Sequence, residues 1–157
     1  MNLILRMIYV FMLSLFRPRI TADNMVSELS LRVLPNDLDI NLHMNNGRYL
    51  TICDLNRVDL FIRSGLMGAM FKRGWIPVIA EHTMTYKRPL NLLQRYTVSL
   101  QVTHSDEKYF YMTHTFMRDA RVVAQGTSKG CVYAKNHGVI SPAEAMAAIE
   151  SDSKNAN

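Results

Sequence analysis

Residues 36–50 read Asn-Asp-Leu-Asp-Ile-Asn-Leu-His-Met-Asn-Asn-Gly-Arg-Tyr-Leu, and this stretch decides the fold because two different periodicities meet in it. Before it, Leu29, Leu31 and Val33 alternate with Ser30 and Arg32, the period-two pattern of a half-buried strand that stops at Pro35. The stretch itself is rich in turn and cap formers. After it, a helical pattern runs from about Arg48 to Arg73 with an interruption near Gly65 and Gly68. Its apolar positions Tyr49, Ile52, Cys53, Leu60 and Phe61 describe a helix buried along much of its length.

Working outward, four strand-like runs follow the helix. Val78, Ala80, His82, Met84 and Tyr86 share one face of a long strand beginning near Trp75, and Tyr96, Val98, Leu100 and Val102 share a face of the next. Runs over Tyr109–Met117 and Val122–Tyr133 come next, with turn signals at Ser105-Asp106 and Asp119-Ala120, and a Gly126 that suggests a bend or bulge. Ser141-Pro142 reads as an N-cap with proline at the first helical position, opening a short Ala-rich helix to about Glu150. One strand, one long helix and a four-strand meander predict an α+β fold, an antiparallel sheet of about five strands wrapped around the long helix. Such a sheet leaves an edge strand, and pairing it with a second subunit is the expected solution.

The 157 residues suit one core. With 48% hydrophobic and 20% charged residues the chain is a folded protein. A formal charge of +5 favours anionic partners, but no basic stripe with interleaved aromatics appears, so nucleic acid is not an expected one. Two isolated cysteines, Cys53 and Cys131, indicate neither a disulfide framework nor a thiolate metal site and fit a reducing, cytoplasmic setting. The five histidines lack the close spacing of a zinc site, so no metal and no cofactor is expected.

Residues 1–20 stand apart from a domain expected over 21–157. Met1 to Phe16 is almost wholly apolar and is followed at once by Arg17 and Arg19, with no small-residue cleavage site. Sixteen helical residues reach roughly 24 Å, short of the roughly 30 Å hydrocarbon layer. Two readings stand: a helix lying on the inner face of the membrane with Arg6, Arg17 and Arg19 on lipid phosphates, or a helix docked on its own domain or on a partner.

Asp37, Asp39, His43, Asn45, Asn46 and Tyr49 crowd the junction between strand and helix. One account makes the aspartates turn formers, Asn45 or Asn46 the N-cap, and His43 a satisfied polar residue. The other notes that a helix N-terminus offers unpaired N–H groups and a positive dipole end, able to stabilise an oxyanion while a nearby carboxylate attacks or activates water. Cys53 as a nucleophile is the weaker option, since a buried helical cysteine is ordinarily a small hydrophobe.

The run from Asp37 to Leu50, with Asp54 five residues past Tyr49, resembles the signature of the 4-hydroxybenzoyl-CoA thioesterase family of hot-dog proteins, usually D-x-D-x-x-G-H-x-N-N-x-x-Y-L followed by an acidic residue. Trp75 to Tyr133, with its Y-x-R-P-L turn at Tyr86 to Leu90, is similar to the family's sheet, and the resemblance spans roughly residues 25–135. It is strongest toward the branch carrying an apolar N-terminal segment. Two departures stand out: Leu42 where the family usually has Gly, and Asn91 to Arg95 where many members carry a Gly-Asp pair.

The resemblance implies a dimer or tetramer that hydrolyses acyl-CoA or acyl-carrier-protein thioesters at sites between subunits. It matches Asp37 to the reacting carboxylate, as nucleophile or general base, the backbone amides around Met44, Asn45 and Asn46 to the oxyanion site, the residues His43, Asn45 and Asn46 to ones that shape the turn and position water, and Asp54 to an acid that ties the site together. Tyr49, Lys87, Arg88 and Arg95 are the expected substrate contacts, the three cations as candidates for coenzyme A phosphates, with an acyl pocket from Leu60, Met67, Met70 and Trp75. The competing reading is a hot-dog protein that binds acyl thioesters or membranes without hydrolysis.

Overall fold

A computed structural model describes residues 3–154. Helix α1 (Leu3–Leu15) is followed by strand β1 (Val26–Arg32), helices α2 (Asn46–Ser64) and α3 (Leu66–Arg73), strands β2 (Trp75–Tyr86), β3 (Arg95–Ser105), β4 (Phe110–Arg118), β5 (Arg121–Ala134) and β6 (Gly138–Ile140), and helix α4 (Pro142–Lys154). The sheet is antiparallel in the order β1-β3-β4-β5-β2, with β6 added to β5. This is the expected helix-in-sheet arrangement, with one short strand more than the periodicity revealed.

The helix break falls at Gly65 alone, whose φ of +86° gives α2 a left-handed C-cap, while Gly68 stays helical within α3. Asp119 and Ala120 both take positive φ (+49° and +58°), the backbone of the tight β4–β5 hairpin. Gly126 is no bulge. It pairs in register with Met84 and His114, and a Cβ there would fall 2.1 Å from the Thr83 carbonyl oxygen, so two strands approach as only glycine permits.

One core packs Ile52, Cys53 and Leu55 of α2 against Leu29, Tyr96, Val98 and Phe116 of the sheet, with Val10 of α1 joining it. A second gathers Leu66, Met70, Val132 and Ala145 under α4. β2 lies at the open edge and is exposed along most of both faces, including Ile76, Val78 and Ile79. Among the described residues, no helix is long and apolar enough to cross a membrane.

Candidate active site

Pro35–Asp37 forms a single 3-10 turn, after which the chain doubles back in a loop closed by an antiparallel bridge between Leu38 and Met44. Inside the loop the Asp39 N–H donates to the His43 carbonyl (3.0 Å), and the Leu42 N–H to the Asp39 carbonyl (3.1 Å). Closing so short a loop puts Leu42 at φ +61°, which explains why glycine suits this position and why Leu42 is a departure with a conformational cost. Asn45 is the N-cap of α2, its side chain accepting from the Gly47 N–H at 2.8 Å. Asn91 bridges His43 from the β2–β3 connection, so the Asn91-to-Arg95 departure lies against this loop.

Asp37, the expected reacting carboxylate, is enclosed. It is 1% exposed, and Arg6 of α1 grips both oxygens, Nη1 to Oδ1 at 3.1 Å and Nη2 to Oδ2 at 2.6 Å. Oδ2 also accepts the Leu34 N–H at 2.8 Å, and Arg48 Nε stands 3.6 Å from Oδ1. A carboxylate so enclosed ties α1 to the turn that leads into α2. The two aspartates are alike in sequence; burial separates them. Asp39 keeps a side chain 22% exposed, with Oδ1 accepting the Asn41 N–H (2.8 Å) and lying 3.7 Å from His43 Nδ1.

The expected oxyanion amides are only partly free. The Met44 N–H donates to the Leu90 carbonyl (2.7 Å) and the Asn45 N–H to the Asp37 carbonyl (2.8 Å). No described residue accepts the Asn46 N–H, so this is the donor left at the helix start, where the dipole is also positive. Tyr49 is a core residue, 2% exposed and set edge-on against Tyr86 and Phe116, which removes it from the substrate contacts. The Tyr86 hydroxyl donates to the Asn46 carbonyl (3.0 Å), so the exposed Lys87 and Arg88 that follow sit beside the helix start. Arg95 instead borders a groove with Arg6, Tyr9 and Arg32 along α1.

Asp54 pairs with Arg57, one turn along, and leads away from this loop into the interior. There Arg57 Nη2 lies 3.4 Å from both His82 Nδ1 and His114 Nε2, and His114 Nε2 lies 2.8 Å from Ser128 Oγ. Sequence spacing missed this cluster because His82 and His114 meet only through the pairing of β2 and β4 with β5. Burial, then Arg57, hold His82 below its ordinary pKa and push His114 down to about 3, so both rings are neutral near pH 7. Burial pushes the Cys53 thiol up to about 12, so it stands as a protonated thiol near pH 7. Cys53, His82 and His114 offer three metal-type atoms within 4.8 Å of one another. The Arg57 guanidinium already stands against both rings and opposes a second cation there.

Of the expected acyl-pocket residues, Leu60 borders a narrow apolar slot with Phe61, Val78, Ile79 and Met112. Met70 lies in the core under α4, with Met67 and Trp75 packed against it. The slot encloses about 30 Å³, room for about one water, so it is no acyl chamber as it stands.

The sequence profile of the thioesterase-like superfamily matches residues 33–149. A Xenopus laevis protein named THEM6 is 41% identical over 85 residues, 54% of this chain and 41% of that protein, so the chain spans under half the length of this relative. The crystal structure of YbaW, a probable thioesterase from Escherichia coli, superposes with a TM-score of 0.72 at 20% identity, covering 79% of this chain and 96% of that one. The structure of BH1999, a gentisyl-coenzyme A thioesterase, gives 0.69 at 19% identity, covering 76% and 98%. The shared fold is the hot-dog fold that the sequence pattern resembles.

Proposed function

Because the chain belongs to the thioesterase-like superfamily, we propose that it hydrolyses acyl-CoA thioesters at the start of α2, with Asp39 in place of Asp37 as the reacting carboxylate. The observation that carries this reading is the partition of the two acids: Arg6 encloses Asp37, while Asp39 stays accessible on the loop that ends at the Asn46 N–H. In this reading Asp39 takes a proton from water, the resulting hydroxide attacks the thioester carbonyl, and the Asn46 N–H receives the developing oxyanion. Collapse breaks the carbon–sulfur bond, and the proton goes to the departing thiolate, leaving a carboxylic acid and a free thiol. His43, 3.7 Å from Asp39, orients that acid, and Lys87 and Arg88 face the phosphates of coenzyme A.

The site is completed by a second subunit in this proposal. The exposed edge of β2 with Ile76, Val78 and Ile79 pairs with its copy, and the acyl chamber forms between protomers, since the slot within one protomer is water-sized. Sedimentation should give at least twice the chain mass, and Val78→Asp should halve it; a wild-type monomer that is fully active contradicts the shared site.

One observation favours a second reading, a binder with little turnover: two of the three expected oxyanion amides are engaged internally. A panel of acyl-CoA and acyl-carrier-protein thioesters separates them. Release of free thiol supports the hydrolase, and saturable binding without release supports the binder.

A further inference from the structure

Helix α1 is fastened to the domain by buried polar groups as well as apolar contacts. Arg6, Val10 and Ser14, one turn apart from one to the next, are its buried residues, two of the three polar, while Leu3, Met7 and Leu13 pack partly buried against the core. Arg6 is held by Asp37 and by the Arg32 carbonyl (3.0 Å). The Ser14 hydroxyl donates to the fully buried Asp59 at 2.7 Å, a carboxylate that Ser27, Arg17 and Arg63 also reach. The opposite arc carries Ile4, Leu5, Ile8, Phe11, Met12 and Leu15, all exposed, and Phe16 just beyond is 84% exposed. An ordinary surface helix keeps that outward face polar.

Polar fastening on the inside frees the whole outer arc for an apolar medium, and the chemistry of that arc favours lipid over protein. Protein interfaces carry about one hydrogen bond per 100–200 Å², yet among the described residues of this arc the Tyr9 hydroxyl alone is a side-chain hydrogen-bonding group. The thirteen described residues of α1 span about 20 Å, less than the hydrocarbon layer, and an apolar arc of that length suits lying in its surface. Beside the arc, Arg32 and Arg95 border the groove that contains Tyr9, and exposed Arg19 follows the helix. We propose that this face of α1 is a binding surface for a bilayer with anionic headgroups: the apolar arc enters the acyl boundary while Arg19, Arg32 and Arg95 meet lipid phosphates, independently of what the α2 site does.

The test is co-sedimentation of the full chain with vesicles of phosphatidylcholine alone and of phosphatidylcholine mixed with phosphatidylglycerol. The wild type should pellet with the mixed vesicles, and added salt should weaken this. Ile8→Gln combined with Phe11→Gln should weaken binding about tenfold or more while an unchanged melting temperature shows the helix still fastened. Arg32→Gln with Arg95→Gln should remove most of the preference for the anionic lipid. Should the double glutamine variant fold poorly, an environment-sensitive dye on Phe16→Cys, with both native cysteines buried, gives the second measurement. Its emission should shift to the blue on anionic vesicles. A wild type that ignores both vesicles, or a dye that does not respond, overturns the proposal; so does self-association through this arc that leaves vesicles unbound.

Discussion

Arg6 and Asp37, thirty-one residues apart, form a two-pronged ion pair inside the protein, each guanidinium Nη meeting one carboxylate oxygen at 3.1 and 2.6 Å. It ties α1 to the 3-10 turn that leads into the candidate site, and the Asp37 carbonyl in turn receives the Asn45 N–H at the start of α2. Removing one partner leaves the other buried and poorly compensated, so Arg6→Met should destabilise by about 3–5 kcal/mol in urea unfolding. Arg6→Met with Asp37→Asn should recover part of that loss. A loss under about 1 kcal/mol in the single variant would show the pair to be incidental.

His114 makes stability depend on pH. Its ordinary pKa of 6.5 applies in the unfolded chain, and burial with Arg57 nearby lowers it to about 3 in the fold. The unfolded state therefore binds the proton first. The stabilisation is complete above about pH 6.5 and is lost as pH falls toward 3, by about 1.4 kcal/mol per unit in that window. His82, shifted the same way, adds to the slope. Urea midpoints at pH 7.5 and 5 should differ accordingly for the wild type, and His114→Gln should flatten the dependence.

Gly126 faces the Thr83 carbonyl so closely that an added methyl cannot be seated. Gly126→Ala should force β5 and β2 apart and cost about 2–3 kcal/mol, measured by thermal or denaturant unfolding.

Leu42 gives the opposite case, because its backbone conformation is the one glycine prefers. Its side chain is exposed, so truncation loses little packing. Leu42→Gly should be more stable than Leu42→Ala by about 1 kcal/mol, the reverse of the usual order of these residues in a helix. Equal stabilities would mean that the loop relaxes out of the left-handed region.

The long helix, the four-strand meander and the α4 cap were legible because each is written in local periodicity or cap chemistry. β6 was not, being three residues that pair only because β5 extends past them. The sequence pointed to the loop before α2 and, through the resemblance, to Asp37, but the enclosure of that acid was hidden, since Arg6 lies far upstream in what reads as an apolar segment. The same separation hid the inward polar face of α1 and the meeting of His82 with His114 under Arg57. Residues joined across the fold carry no sequence period, so chemistry that depends on such pairs emerges only with the packing.

Thioester turnover of two single variants, each with its fold checked by circular dichroism, tests the central claim most directly. Asp39→Asn should retain wild-type stability and lose about a hundredfold or more in kcat, in line with removal of a general base. Asp37→Asn should lose stability first and keep measurable turnover at temperatures where it is folded. Full activity in Asp39→Asn, beside a folded but inactive Asp37→Asn, would contradict the account and return the chemistry to the buried acid.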